Sequence, residues 1–267
     1  MKRAIVLLLF LVSHVCYGQY NPAADANCQG WWEFEDGALA VDSSVNNLIG
    51  TVISGNTSAN TSIFWQGAAS AYNGSSTWSS LIVLDTNLNS DFPLKSGTSN
   101  KVFTWCIAVR TTFLGRRAFM GKYNYTGKQS FLLLDETGVP TLWTGYNSGA
   151  NTEVTSYTGG TMSANQWYHI AVTYDDSTKA YRIRVWDDSA GALLGADETG
   201  TLTNNISLSD APFNVGNIDP TFSGHVGYLD DVVVFNRVLT VDEIDAIRNQ
   251  TFGAAAAGSY LIGYYEP

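Results

Sequence analysis

The sequence predicts an all-β protein, a sandwich or jelly roll of antiparallel sheets. Short runs rich in β-branched and aromatic residues recur along the chain. They include GWWEFED (30–36), SLIVLD (80–85), KVFTWCIAVRTT (101–112), SFLLLD (130–135), WYHIAVTYD (167–175), YRIRVWDD (181–188) and LDDVVVFN (229–236). Gly, Asn, Ser, Thr and Asp separate these runs, and they are the residues that build turns. Helical periodicity is scarce, and no repeat or long linker interrupts residues 27–250, as expected of one β-sandwich domain.

One helix is expected, from about 241 to 249. Thr240 and Glu243 have the spacing of a capping box, in which hydroxyl and carboxylate each accept a backbone N–H of the first turn. Asp242 and Glu243 at the start and Arg248 near the end suit the helix dipole. Ile244 and Ile247 supply an apolar stripe.

The ends of the chain read differently. Lys2 and Arg3 precede an apolar stretch, Ala4 to Val12, and a short polar segment ends at Gly18. This is the pattern of a secretory signal peptide, too short to span a bilayer. Residues 1–18 are therefore expected to be removed, leaving a β-domain over 19–252 and a tail over 253–267. That tail, a small-residue linker followed by YLIGYY, is either a last strand, a loose end, or a segment that pairs with another subunit. No other stretch is long and apolar enough to cross a membrane.

The formal net charge is −10, with 24 acidic and 14 basic residues. Such a surface repels phosphate, which disfavours nucleic acid and anionic membranes and suits neutral glycans or cations. Cys28 and Cys106 survive processing, and a secreted chain can bridge them or leave both free. The N-x-Ser/Thr sequons are at Asn56, Asn60, Asn73, Asn124, Asn205 and Asn249; in a eukaryote several would carry glycans.

The run GYLDDVVVFNRVL (227–239) poses a specific problem. In a regular strand Asp230 shares a face with Val232 and Val234, and Asp231 with Val233 and Phe235. At least one carboxylate then points where apolar side chains point. That costs several kcal/mol unless the charge is paired, bonded or bound to a metal.

Three separated segments together resemble laminin-G-like, pentraxin-related domains. They are WWEFEDGALAVDSSVNNLIGT at the N-terminus, FTWCIAVRT with QWYHIAVTYDDSTKAYRIRVWDD in the middle, and GHVGYLDDVVVFNRVLTVDEIDAI at the end. The resemblance covers roughly residues 30–250 in order and implies a concanavalin A-like jelly roll. It departs at Ala171, where pentraxins carry a cysteine paired to the one matching Cys106. Segment 113–160 carries no family pattern.

The resemblance also implies a structural calcium, which needs six to eight oxygen ligands. Glu35, Asp42, Asn46 and Asn47 from the acidic turn, with Asp230 and Asp231 from the closing strand, are the candidate ligands. The alternative for Asp230 is backbone N–H groups of the 42–50 loop, or Arg237. Carbohydrate binding calls for exposed aromatic rings that stack on sugar faces. Tyr123, Tyr125, Trp143 and Tyr146, set among Asn, Thr and Gly, are the candidates, while Trp32, Trp105 and Trp167 are assigned to the core. The paired carboxylates of jelly-roll hydrolases have no counterpart in register; Glu33-Phe34-Glu35-Asp36 is the nearest string. Jelly-roll lyases need a convergent Arg, His, Gln and Tyr set. His169 is followed by a strand-core pattern and matches a structural position of the family, and His225, in a Gly-flanked turn, has no evident partner. A polysaccharide hydrolase or lyase is therefore the lesser alternative. The sequence thus reads as a secreted, non-catalytic recognition module for a glycan or glycoprotein. The rival is a structural or adhesive subunit that self-associates through its tail.

Overall fold

The structure, a computed structural model, describes residues 21–53, 57–74, 80–123, 131–148, 150–217 and 224–250. Residues 1–18, expected above to form a leader, Tyr125 and the C-terminal tail lie outside the described residues. The strands are β1 Cys28–Trp32, β2 Thr51–Ile53, β3 Thr57–Asn60, β4 Ser70–Asn73, β5 Ser80–Val83, β6 Phe103–Thr111, β7 Arg117–Lys122 and β8 Phe131–Asp135. They continue with β9 Pro140–Tyr146, β10 Asn151–Ser156, β11 Tyr168–Asp175, β12 Ala180–Asp187, β13 Ala192–Leu193, β14 Glu198–Thr201, β15 Phe213–Val215 and β16 Gly227–Phe235. The helix α1, Val241–Arg248, carries the expected capping box between Thr240 and Glu243.

Two antiparallel sheets form the sandwich. Sheet A has nine strands, in the order β13-β12-β11-β6-β16-β4-β3, with β1 also on β16 and β14 also on β12. Sheet B has seven, in the order β10-β9-β8-β7-β15-β5-β2. The main core lies between them. Trp32 and Trp105 are fully buried there, and Trp105 meets Phe213 edge to face at 5.2 Å between ring centroids.

A second, smaller core lies on the far side of sheet A, under α1. Ile244 and Ile247 close over Cys106, Ala171, Val233 and Phe235. Ion pairs at its rim fasten the helix, with Arg184 on Asp245 at 2.9 Å and Arg237 on Glu243 at 2.8 Å. Arg248 stacks over Trp186 with its guanidinium 3.6 Å from the ring centre.

Cys28 and Cys106 both belong to this small core, and both are free. Strand β16 separates them: Cys28 on β1 pairs with Phe235, and Cys106 on β6 pairs with Val233. Strands two apart are about 10 Å apart, beyond the ~7 Å that a disulfide bridges. The possible Cys28–Cys106 bridge is therefore absent for a geometric reason, and burial pushes both thiols well above the ordinary range. One sequon asparagine, Asn73, is buried in β4 and accepts a hydrogen bond from Thr57 Oγ1 at 2.7 Å.

The alternation expected for β16 fails at one point. Leu229, Val232 and Val234 all enter the main core, while Val233 and Phe235 face the small one. The register against β6 shifts between Asp230 and Val233, and Asp231 has a φ of +44°. This is a β-bulge: one extra residue restores the inward parity. Asp230 therefore does not share a face with Val232 and Val234. It shares the outer face with Tyr228.

Two measurements check this packing. Ile247→Ala should destabilise the protein by about 2 kcal/mol in urea unfolding with an unchanged m-value, and Thr240→Ala by about 1 kcal/mol. Cys28 and Cys106 should react with a thiol reagent only after denaturation, and then both should react; loss of both reactivities in denaturant would mean a bridge.

Candidate functional site

The outer face of sheet A is shared by α1 and a row of aromatic side chains. Because Ala71, Leu229, Val109 and Tyr168 point into the main core, their neighbours Tyr72, Tyr228, Arg110 and Trp167 point outward. The register sets Tyr72 opposite Tyr228, and Tyr228 opposite Arg110. Tyr168 pairs with Val109, so Trp167 falls beside Arg110.

The rings form one surface. Centroids are 4.8 Å apart for Tyr72 and Tyr228, 6.3 Å for Tyr228 and Trp167, and 5.9 Å for Trp167 and Trp65. The Arg110 guanidinium carbon lies 5.2 Å from the Tyr228 ring centre, and its Nε donates to the Asn165 carbonyl at 3.1 Å. Each of these side chains is partly exposed, so the row offers ring surface to a ligand while its other side packs.

Trp65 comes from a loop, and polar side chains, buried Asp230 among them, hold that loop in place. Asp230 Oδ2 accepts the backbone N–H groups of Trp65 at 2.8 Å and Gln66 at 3.4 Å. Glu35 accepts the N–H of Ala68 with both carboxylate oxygens, at 3.0 and 3.1 Å. Ser70 Oγ donates to the Ile63 carbonyl at 2.6 Å, and the Gln66 amide donates to the last-turn carbonyl of Arg248. His169 lies against Trp65 at 6.4 Å, nearly parallel. Burial, reinforced by Arg248 and Arg184, pushes its pKa down to about 3. It therefore stays neutral, a flat support rather than a charge.

Asp230 and Asp231 have no basic partner among the described residues. Asp230 Oδ1 accepts the Asp231 N–H at 3.1 Å, which steadies the bulge. Asp231 accepts from the Trp31 indole at 3.3 Å and from the Gln250 amide at 3.1 Å. Burial raises both acids; the Asp231 charge adds to the effect on Asp230, and Glu33 and Glu35 add to that on Asp231.

The six candidate calcium ligands do not form one shell. Asp42 is filled by its own loop: Trp31 N–H and Ser44 N–H reach Oδ1 at 2.9 Å, while Ser44 Oγ at 2.9 Å and Leu48 N–H at 2.7 Å reach Oδ2. Asn46 donates to the Cys28 carbonyl at 2.7 Å, and Asn47 is an exposed turn residue with a φ of +46°. Asp42 and Asp231 meet indirectly, through the backbone and indole N–H groups of Trp31. Asp230 bonds the 65–66 segment rather than the 42–50 loop or Arg237, which pairs with Asp25 and Glu243. Among the described residues no three His, Cys, Asp or Glu side chains gather as a metal site.

The aromatic candidates of the 113–160 segment do not share a surface. Trp143 lies on the outer face of sheet B, opposite in parity to buried Leu142, with Arg116 over its ring at 4.2 Å. Tyr146 has the parity of Leu142 and so faces the other way. Tyr123 follows β7, and its carbonyl accepts from Asn214 at 3.4 Å. Trp167, assigned above to the core, is instead part of the outer row, because it is out of phase with Tyr168, Ile170 and Val172. Arg110 was equally readable from period-2 alternation on β6. Tyr228 was not, because the bulge reverses its parity relative to Val232 and Val234; Tyr72, in a four-residue strand, and Trp65, in a loop, give no such signal.

Comparison with known proteins agrees with the fold. The laminin G-like family described as the concanavalin A-like lectin/glucanases superfamily matches residues 84–245. No curated protein matches the chain by sequence. Among solved structures, domain 4 of AbnA, an extracellular arabinanase of Geobacillus stearothermophilus in complex with arabinotriose, superposes with a TM-score of 0.58 at 15% identity, covering 83% of this chain and 98% of that one. The binding domain of Paraclostridial Mosquitocidal Protein 1 gives 0.61 at 15%, with 84% and 52% covered. The binding domain of botulinum neurotoxin DC in complex with SialylT gives 0.58 at 14%, with 85% and 52% covered. The chain thus spans about half the length of those toxin domains. Two antiparallel sheets in this order, and a family match over more than half of the sequence, have one reading: the chain belongs to the laminin G-like family of the concanavalin A-like lectin/glucanases superfamily.

Proposed function

We propose that this chain is a secreted, non-catalytic carbohydrate-binding module that holds a glycan along the outer face of sheet A. The observation that carries the reading is the continuous row of Tyr72, Tyr228, Trp167 and Trp65 with Arg110 at its middle. Pyranose rings present C–H faces that stack on aromatic rings, and a few polar groups fix their hydroxyls. Structures of the same fold bind arabinotriose and SialylT, which supports the ligand class. The leader over residues 1–18 supports secretion, and an N-terminus at Gln19 on exported protein would confirm it. The acids nearest the row are turned toward N–H donors beneath it, an arrangement suited to holding a loop.

On a glycan array the protein should bind a restricted set of oligosaccharides. Trp167→Ala and Tyr228→Ala should each weaken binding about fivefold to tenfold, from roughly 1 kcal/mol of stacking. Trp143→Ala, on the other sheet, should change nothing. Loss of binding on Trp143→Ala would move the site to sheet B, and an array without binders would end the glycan reading.

A structural calcium enters this proposal at Asp230 and Asp231 alone, where backbone carbonyls and waters would have to complete the shell. The competing counter-charge is a proton. Both acids are raised in the folded state, so without metal their protonated forms favour folding. That stability is present below the ordinary carboxylate range and falls away as pH rises above it. In EDTA the Tm should therefore drop between pH 5 and pH 8.5, and Asp230→Asn should flatten the drop. Added calcium should restore the Tm at pH 8.5; no change with calcium removes the metal from the proposal.

A further inference from the structure

We propose that the aromatic row selects sugars bearing a carboxylate, uronic acids, and that Arg110 reads that group. The inference rests on the glycan-binding reading and names the ligand class of the same site.

The described arginines of this acidic chain mostly find carboxylates. Arg116 pairs with Glu136, Arg182 and Arg184 with Asp197, Arg237 with Asp25, and Arg248 with Asp245. Arg110 does not. Its Nε is tied to the Asn165 carbonyl and its plane lies near Tyr228, while its two Nη groups make no hydrogen bond to a described residue. The guanidinium is thus oriented but not neutralised, in the middle of a stacking surface. Asp230, further along β16 on the same face, has its carboxylate committed to the Trp65 and Gln66 amides and offers Arg110 no counter-charge.

A planar fork of N–H donors matches a carboxylate bidentately. In a pyranuronate the carboxylate projects from the edge of the ring whose face would stack on Tyr228 or Trp167, so one sugar can use both. A densely sulfated polymer needs a field of positive charge, and in a chain of net charge −10 the other described arginines of this face, Arg182, Arg184 and Arg248, are already paired with carboxylates. Neutral sugars would stack equally well but leave the fork unused.

The test is a glycan array on which each uronate-bearing oligosaccharide is printed beside its carboxyl-reduced counterpart. The uronate members should bind about tenfold or more tightly, as expected for a charge-assisted pair, and the difference should shrink as salt rises. Arg110→Gln should bring the uronate members down toward the level of the reduced ones, lowering uronate binding severalfold more than binding of the latter. Arg110→Lys, which keeps charge but loses the fork, should fall between. Trp167→Ala should weaken both sets. Equal binding of uronate and reduced partners, no effect of Arg110→Gln, or preference for sulfate esters over uronates would each overturn the inference and leave the glycan reading standing. Binding to no glycan at all would overturn both.

Discussion

One extra residue in β16 decides what the outer face of sheet A can carry. With Leu229 inside, a regular strand would turn Val232 and Val234 outward and bring Asp231 in. The bulge at Asp231 keeps all three apolar residues in the main core and leaves Tyr228 and Asp230 on the outside. A left-handed backbone at a non-glycine residue costs on the order of 1 kcal/mol. Here the Asp231 N–H bonds the Asp230 carboxylate, and the Asp231 carboxylate bonds the Trp31 indole, so the kink is satisfied from both sides. Asp230 then has its second oxygen free for the loop that carries Trp65.

The remainder of that face follows from how it is covered. Helix α1 buries one region of sheet A and leaves the aromatic row beside it. The two are joined: the Gln66 amide bonds the last-turn carbonyl of Arg248, whose side chain lies over Trp186. Asp245 holds Arg184 of β12 and Arg248 of the same helix. The helix that seals the small core therefore also buttresses the Trp65 loop. A substitution that loosens α1 would loosen one end of the row without touching a ligand.

Much of the fold was legible in local pattern. The capping box at Thr240 and Glu243, the turn-bounded strands, and the burial of Trp32 and Trp105 each depend on residues close in sequence or on plain alternation. The closing strand was not readable, because period-2 counting assumes no inserted residue, and one bulge reverses every face beyond it. Trp167 shows a different failure. It stands beside Tyr168 in an aromatic-rich run, and counting aromatic residues as core overrode the parity that separates it from Tyr168, Ile170 and Val172. The ligand candidates in 113–160 shared a composition but not a surface, since Trp143 and Tyr146 differ by an odd number of positions on β9. The Cys28–Cys106 question turned on strand order, which puts β16 between them and which no spacing in the sequence encodes.

Buried Asp230 and the partly exposed rings are parts of one design problem. A flat ligand gains little from stacking if the rings must first be ordered, because each immobilised side chain or loop residue subtracts from affinity. Tyr72, Tyr228 and Trp167 are fixed by the sheet itself. Trp65 is not, and a loop tryptophan would be the mobile end of the row. Asp230, Glu35 and Ser70 bond that loop at Trp65, Gln66, Ala68 and Ile63, and neutral His169 lies flat against Trp65. Burying Asp230 costs stability, which its raised pKa records. That cost is borne in the folded state before any ligand arrives, so ordering the loop need not be charged against binding. The carboxylate that looked misplaced in an apolar strand is thereby explained by the surface above it.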